Sequence, residues 1–488
     1  MLKILIEKEL KAIFLSPKFI ATFGVSSILI LLSIVVGIRE YKAAVKQYES
    51  ATQLAAQELR EQSSYQGLRT RVYRKPHPMQ IFVSGVQHDV GRLSAISSFS
   101  AIKLTNSVYS DDPIFAVFRF IDFTFIVKIV LSLIAVLFTY DAVNGEREKG
   151  TLKLIFSNAV PRAQYILAKL IGSWIGMVIP LLIPILLGLL LVSLFGIPLT
   201  GEHWIKITLL IGSAILFFTY FIASGLLISS FTRHSAIAFL ILLVSWVFFV
   251  LIFPRAGVMA AGKLVPLPSA AEIDGQQDGF AKSRWTHFTE EMQTRWQKRS
   301  AAMAGLSKEE RANYRDEHLW EWMEEEDAAR KQVEAAINDF NLKLQEDLRN
   351  RKAQQERLAF TISRFSPASA FQLTAMNLAD TNIRLKTRYE DAMQNYRTQF
   401  IEYKEKKQKE TGSRGGIRIT LDSESGMKID TGRDKGHLNL SDMPKFTPPQ
   451  TALNDAVAPT IIDFGLLALF TLTAFAGAFV AFLKYDVR

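Results

Sequence analysis

Six long, mostly apolar stretches constrain this chain more than any other feature of its sequence. A helix of about 20 residues crosses the hydrocarbon core of a bilayer and satisfies its own backbone hydrogen bonds there. The stretches, which we number as spans 1 to 6, occupy residues 19–38, 120–140, 171–195, 207–230, 236–253 and 461–483. They predict an all-α polytopic membrane fold.

The composition agrees with membrane spans joined to soluble segments. Hydrophobic residues make up 49% of the chain and charged residues 21%, so the two classes are segregated along it. We interpret the net charge of +10 as a sign of membrane topology rather than nucleic-acid binding, because Lys and Arg accumulate in cytoplasmic loops. The chain has no cysteine, so packing alone must hold any soluble domain together.

Basic residues in the short loops predict the orientation of the spans. Residues 1–18 have the pattern of an amphipathic helix on the membrane surface, without the cleavage site of a signal peptide. All short-loop basic groups share one side if both termini are cytoplasmic, which leaves residues 39–118 and 254–460 outside. These basic residues are Lys3, Lys8, Lys11, Lys18, Arg147, Lys149, Lys153, Arg162, Lys169, Arg233, Lys484 and Arg488.

The external segment at residues 254–460 carries three stripes of apolar residues at helical spacing. Ser307 and Glu310 predict a capping box at the start of the second helix. We predict that the second and third helices pair as an antiparallel hairpin or bundle of coiled-coil character. The stripes are Trp285, Phe288, Met292 and Trp296; Val333, Ile337, Phe340 and Leu344; and Leu385, Tyr389, Tyr396 and Phe400.

Three shorter elements are predicted outside the membrane. Ser366 followed by Pro367 is typical of a helix start, which predicts a short helix between the second and third stripes, either where the two arms turn or where they meet the membrane. The alternating residues 417–421 favour a small β-hairpin before span 6. In the first external segment, residues 42–60 have a helical pattern.

The chain carries no complete motif for catalysis or nucleotide binding. Residues 257–264 match the glycine and lysine spacing of a phosphate loop, but Leu264 stands where a magnesium-binding Ser or Thr belongs. We interpret this segment as an ordinary loop. The seven histidines lack metal-binding spacing, and no GxSxG sequence is present. We predict no catalytic residue, metal or cofactor in this chain.

Three ionisable residues lie within the predicted spans. Asp122 and Lys128 belong to span 2, and Asp463 belongs to span 6. Charged groups at membrane depth face the protein interior and are paired. Because Asp122 and Lys128 lie on nearly opposite faces of one helix, we expect Lys128 to meet Asp463 as a structural ion pair. A role in translocation is the alternative.

The connection between spans 2 and 3, residues 141–170, is the most informative segment. Its sequence predicts a charged helical end that breaks at Gly150, restarts as a second short helix and turns at Pro161. Such a compact elbow is suited to docking a cytoplasmic protein. The alternative is a loop whose basic residues only anchor the topology.

At these residues the chain resembles the ABC-2 type permeases of ATP-binding-cassette exporters. The resemblance covers the surface helix with Ser16-Pro17-Lys18, the elbow sequence Glu-Arg-Glu-Lys-Gly-Thr-Leu, Pro161-Arg162 before span 3, and the six spans. The chain is most similar to the subgroup with a large external insertion before the last span. There, the sequence from Ser366 to Phe371 and the terminal Tyr485-Asp486-Val487-Arg488 also match.

The resemblance implies a permease without ATPase activity of its own, in the bacterial cytoplasmic membrane. Two permeases, identical or paralogous, would pair, and two separate ATPase subunits holding ATP and Mg²⁺ would dock on the elbow. The external domain would be periplasmic or extracellular. The coupling residues implied in this way are Glu146, Arg147, Glu148, Gly150, Thr151, Pro161 and Arg162.

Three other functions stay open at this point. One is a mechanotransmission complex of the same architecture, in which ATP-driven motion acts on an external partner. The others are a membrane enzyme such as a protease, and a receptor or scaffold that uses the external helices. The sequence names no substrate, and it does not distinguish a homodimer from a heterodimer of permeases.

Overall fold

The computed structural model describes residues 1–65, 67–97, 102–111, 121–158, 160–410, 418–422, 426–430 and 438–484, with backbone alone from 418 to 430. Within them, six helices are long and apolar enough to cross a membrane. These are Pro17–Arg60, Phe123–Glu148, Arg162–Leu194, Gly201–Phe231, Ser235–Leu264 and Leu453–Leu483. Each coincides with a predicted span, so the all-α six-span fold is confirmed. The predictions at Phe120, Ile417 and residues 485–488 lie outside the described residues.

The chain begins with the predicted amphipathic helix, Leu2–Phe14. Ser16 then caps span 1 by accepting a hydrogen bond from the Phe19 backbone nitrogen at 3.2 Å, and Pro17 occupies the first helical position. Span 1 is one unbroken helix of 44 residues, Pro17–Arg60, which is about 66 Å long at 1.5 Å per residue. The helical pattern at residues 42–60 is therefore the continuation of span 1 beyond the hydrocarbon core.

Spans 2 and 5 each contain a π-helical segment. Span 2 runs through Phe123–Phe125, a π-helix at Ile126–Leu131, and Ser132–Thr139. Span 5 runs through Ser235–Trp246, a π-helix at Val247–Ile252, and Phe253–Leu264. The Trp246 indole donates a hydrogen bond of 2.7 Å to the Ser132 hydroxyl, which joins the two spans next to these segments.

The short helix predicted at Ser366-Pro367 is Pro367–Leu378, and it is buried among the spans. Ser366 accepts a hydrogen bond from the Ser369 backbone nitrogen at 3.4 Å, which confirms the predicted cap. Phe371 is fully buried and stacks on Phe217 of span 4 at 5.0 Å between ring centroids. This buried helix, despite its place between two soluble stretches of sequence, belongs to the membrane core.

A small soluble core forms beyond the far end of span 1. An antiparallel hairpin, β1 Thr70–Tyr73 and β2 Leu93–Ile96, packs with the helix Arg384–Glu410. The apolar stripe of that helix contacts Leu59, Tyr65, Leu68 and Val72, together with part of the segment after residue 438. The predicted pairing of this third stripe with the second is therefore wrong, because residues between spans 1 and 2 cover it.

Residues Phe253–Ser363 form a separate compact unit. Its helices are Phe253–Leu264, Ala270–Ala302 and Lys308–Ser363. The last two form an antiparallel pair in which Phe280 stacks on Phe340 at 4.1 Å. The capping box is confirmed, since Ser307 and Glu310 exchange backbone-to-side-chain hydrogen bonds of 2.9 and 3.4 Å.

The interpretation of residues 257–264 as a loop is wrong, because they belong to the helix Phe253–Leu264. A β-carbon at Gly257 would lie 2.6 Å from the Ser363 hydroxyl, so this glycine lets the helix approach the end of Lys308–Ser363. The β-hairpin predicted before span 6 is present as β3 Arg418–Asp422 and β4 Gly426–Asp430, with Thr420 opposite Lys428.

Candidate functional site

The elbow after span 2 consists of two short helices joined at one glycine. The helix Asn144–Glu148 ends at Lys149, and the helix Thr151–Ser157 begins after Gly150. Gly150 has φ +72°, in the left-handed region that side chains with a β-carbon disfavour. The predicted break at Gly150 is therefore present, and glycine supplies the backbone conformation that it requires.

Glu146 faces the inside of the protein. Its carboxylate accepts hydrogen bonds from Lys8 at 2.8 Å, from Tyr165 at 2.7 Å and from Lys169 at 2.9 Å. Lys169 is buried and also pairs with Glu9 at 2.8 Å. Glu146 thus joins the elbow to the N-terminal helix and to span 3. Its predicted coupling role stays a prediction, and in this structure the carboxylate is used for internal contacts.

Glu148 and Asn144 join the elbow to the turn between spans 4 and 5. The Glu148 carboxylate accepts hydrogen bonds of 2.8 Å from both the backbone nitrogen and the hydroxyl of Ser235, at the first turn of span 5. A carboxylate at this position satisfies a free N–H group and complements the helix dipole. The Asn144 side chain bonds Ser229 at 3.0 Å and Thr232 at 2.9 Å.

Residues around Pro161 join the elbow to span 6. Arg162, at the start of span 3, donates a hydrogen bond of 2.6 Å to the carbonyl of Leu483. The Tyr165 ring stacks on Phe482 at 4.9 Å between centroids, and Phe156 from the elbow completes the aromatic group. Pro161 itself is exposed. This end of span 6 is therefore fixed to span 3 and the elbow together.

The outward surface of the elbow includes Leu154, which is not among the predicted coupling residues. Leu154 is 66% exposed, whereas Leu152, two residues earlier, is buried. Lys149, Gly150 and Lys153 are exposed around it. The signal was present in the sequence, because two residues separated by about 200° on a helix cannot both face the core. An apolar side chain with two amines beside it is thus presented outward.

The family profile described as ABC-2 family transporter protein matches residues 4–487, which is nearly the whole chain. This chain is a member of the ABC-2 transporter family. No curated protein matches it. The match covers all six spans and the elbow, and it supports a permease subunit of an ABC transporter in a multi-pass membrane setting.

The remaining predicted elbow residues of this ABC-2 permease differ in exposure and in their contacts. The Thr151 hydroxyl donates a hydrogen bond of 3.1 Å to the Glu146 carbonyl, which closes the two short helices on each other. Arg147 is half-buried. Glu148 is exposed at its edge while bonding Ser235. Gly150 and Pro161 of the predicted set are also exposed.

The ionisable residues of the spans in this permease pair differently from the prediction. Lys128 does not form the expected pair with Asp463: it donates to the Gln372 side chain at 2.7 Å, on the buried helix. Asp463 forms a two-point ion pair with Arg364, at 2.7 and 3.2 Å. Asp122 caps the start of span 2, accepting from the Phe125 backbone nitrogen at 2.7 Å. These contacts give the ionisable groups polar partners, as charges at membrane depth require, and the choice between a structural role and a role in translocation stays open.

Proposed function

We propose that this permease uses the elbow to receive force from a separate cytoplasmic ABC ATPase and exports a substrate by tilting its spans. Family membership implies such an ATPase. In this proposal both termini and the elbow are cytoplasmic, two ATPase subunits bind two permeases, and ATP with Mg²⁺ is held by the ATPase. The membrane is the bacterial cytoplasmic membrane.

One observation carries the proposal: the elbow contacts the N-terminal helix and spans 3, 4, 5 and 6. Lys8 and Lys169 bond Glu146, Ser229 bonds Asn144, Ser235 bonds Glu148, and the Phe156 ring lies 5.9 Å from the Phe482 ring of span 6. A displacement of the elbow is thereby delivered to several helices together. Closely packed helices respond to such a push as rigid bodies, by hinge or shear motion.

The docking contact in this proposal centres on Leu154. A well-packed apolar anchor surrounded by polar groups is typical of an energetically important interface residue. Leu154 has that setting, with Lys149 and Lys153 exposed on the same elbow. We expect the ATPase to receive Leu154 in an apolar cleft edged by carboxylates.

Copurification with the cognate ATPase tests the proposal. Leu154→Asp combined with Lys153→Glu is expected to abolish copurification and the ATP turnover of the assembled complex, while the permease keeps its melting temperature. Lys484→Glu is the matched control, because it reverses an exposed charge at the end of span 6, outside the elbow. Undiminished ATPase binding by the double variant would show that the elbow is only a connecting loop.

A mechanotransmission role is the second candidate, and span 1 favours it. The helix Pro17–Arg60 passes without a break from the membrane region to Leu59, which is buried in the soluble core with Tyr396 and Phe400. A tilt of span 1 therefore moves that core. The experiment that separates the two functions uses disulfide crosslinks that hold the spans fixed. Both the ATP-driven motion of the soluble core and the release of substrate must be measured.

A further inference from the structure

The helix Lys308–Ser363 exposes a tryptophan with unpaired carboxylates around it. Trp320 is 78% exposed, and Met323, one turn away, is 55% exposed. Glu317, Glu321 and Glu324 lie within four residues of Trp320 and are exposed. We call these five residues the tryptophan face.

The tryptophan face is separate from the contacts that hold the helical pair together. Trp322 lies 6.5 Å from Trp296 of the partner helix, and the Arg299 guanidinium lies 5.7 and 5.2 Å from those two rings. Residues two positions apart on a helix point about 200° from each other. Trp320 consequently points away from the side of the helix that Trp322 uses for packing.

The carboxylates of the tryptophan face differ from their neighbours on the same helix. Glu325 and Glu326 pair with Arg299 at 2.5 and 3.1 Å, and Asp327 pairs with Lys331 at 2.6 Å. Within the described part of the chain, Glu317, Glu321 and Glu324 form no ion pair or hydrogen bond. Like charges three and four residues apart on a helix destabilise it, so this arrangement lacks a local structural benefit.

We propose that the tryptophan face binds a protein partner through an amphipathic helical segment that carries Lys or Arg beside its apolar face. An exposed apolar patch marks an interaction site, and tryptophan is the residue most enriched at the energetic centres of interfaces. The tryptophan ring attracts cations, and the free carboxylates beside it attract them as well. An anionic membrane surface is repelled by the same carboxylates, and a second copy of this face would oppose like charges across a two-fold axis.

A synthetic peptide tests the proposal on the full-length protein in nanodiscs of zwitterionic lipid. The probe is a short fluorescent helical peptide of Lys and Leu, and its binding is followed by fluorescence anisotropy against empty nanodiscs. Trp320→Ala, and separately Glu317→Gln with Glu321→Gln and Glu324→Gln, are each expected to weaken binding about tenfold. A matched peptide of Glu and Leu is expected not to bind. Circular dichroism verifies that both variants remain folded.

The control variant neutralises three carboxylates far from Trp320 in sequence, namely Asp274→Asn, Asp278→Asn and Glu346→Gln. These residues are also exposed and belong to the same two helices. If the control weakens binding as much as the face variants, the attraction is general electrostatics and the proposal fails. It also fails if Trp320→Ala changes the subunit number in mass photometry, which indicates a second copy, or removes binding to anionic vesicles, which indicates a membrane.

Discussion

Arg364 and Asp463 meet in a two-point ion pair, with the guanidinium 2.7 Å from one carboxylate oxygen and 3.2 Å from the other. Asp463 is fully buried in span 6, and the Arg364 side chain is 26% exposed. The pair therefore fixes the residue that follows the long helix Lys308–Ser363 to the last span.

Removing one member of this pair should lower the free energy of unfolding more than removing both. We expect Arg364→Met to lower the free energy of unfolding by about 3 to 5 kcal/mol, because it leaves a buried carboxylate without a partner. The double variant Arg364→Met with Asp463→Leu should recover most of that loss, since no charge is left buried. Melting temperatures in detergent measure both. Equal losses in the two variants would mean that the ion pair is not the source of the effect.

The two lysines that bond Glu146 should differ strongly in importance. Lys169 is buried between Glu9 and Glu146, so Lys169→Met leaves the buried Glu9 carboxylate without this partner and should cost about 3 to 5 kcal/mol. Lys8 is 45% exposed, and Lys8→Met should cost about 1 kcal/mol or less because water screens the pair. Thermal melting compares the two variants directly. Similar losses would show that the N-terminal helix carries as much of the elbow's stability as span 3.

The effect of a substitution at Gly150 should depend on whether the new residue adopts a left-handed backbone conformation, and not on the size of its side chain. No atom lies within 4 Å of the β-carbon position at Gly150, so the cost comes from φ +72° alone. Gly150→Asn is expected to be tolerated, Gly150→Ala to cost about 1 kcal/mol, and Gly150→Pro to disrupt the elbow because proline fixes φ near −65°. ATP turnover of the complex with its ATPase measures the coupling. If Pro and Asn behave alike, the left-handed turn is dispensable.

Stability should fall with acid through His88, which lies in the soluble core. Burial, followed by the positive charges of Arg74 and Arg92, lowers the pKa of His88 to about 4, although the Glu40 carboxylate lies 3.9 Å away. Between about pH 6.5 and 4, His88 therefore binds a proton in the unfolded chain but not in the folded chain. The free energy of unfolding decreases as the pH falls through this range, by about 2 kcal/mol at pH 5.

Melting at pH 7.5 and pH 5 compares His88→Gln with the parent. We expect the melting temperature of the variant to fall less between pH 7.5 and pH 5 than that of the parent, because glutamine does not titrate. His287→Gln is the matched control, since His287 is an exposed histidine on another helix. An unchanged acid sensitivity in His88→Gln would assign the effect to other groups.

The helical pair of the separate unit should fold without the rest of the chain. A fragment from Val265 to Ser363 contains both helices, their capping boxes and the Phe280–Phe340 stack. We expect it to be soluble and helical by circular dichroism, and Phe340→Ala to destabilise it by about 2 kcal/mol. Leu342→Ala, at an exposed neighbour, is the control. An unfolded fragment would mean that this pair depends on a partner.

Hydropathy and local capping rules are sufficient to predict the spans, the caps at Ser307 and Ser366, and the break at Gly150. These features depend on residues close together in sequence, such as Ser307 with Glu310. The partners of the amphipathic helices were not predictable in the same way. The stripe with Tyr396 and Phe400 requires an apolar cover, but only the fold determines that Leu59 and Tyr65 provide it.

The internal contacts of the elbow could not be predicted from the sequence. A charged residue on a short helix can face solvent or a buried cation, and Glu146 has the second environment because Lys169 lies within reach. The partner of Lys128 was missed for a similar reason. Gln372 lies 244 residues away on a helix whose burial among the spans had no sequence signal.

The π-helical segment Ile126–Leu131 sets the rotational phase of everything that follows it in span 2. A π-turn accommodates one residue more than an α-turn, and each residue of an α-helix advances the direction of the side chain by about 100°. If the same residues formed a regular α-helix, the additional residue would turn Ser132 by about 100° and away from Trp246. Thr139 would likewise leave its close approach to Gly225. The π-turn thus absorbs one residue and keeps Ser132 and Thr139 facing their partners.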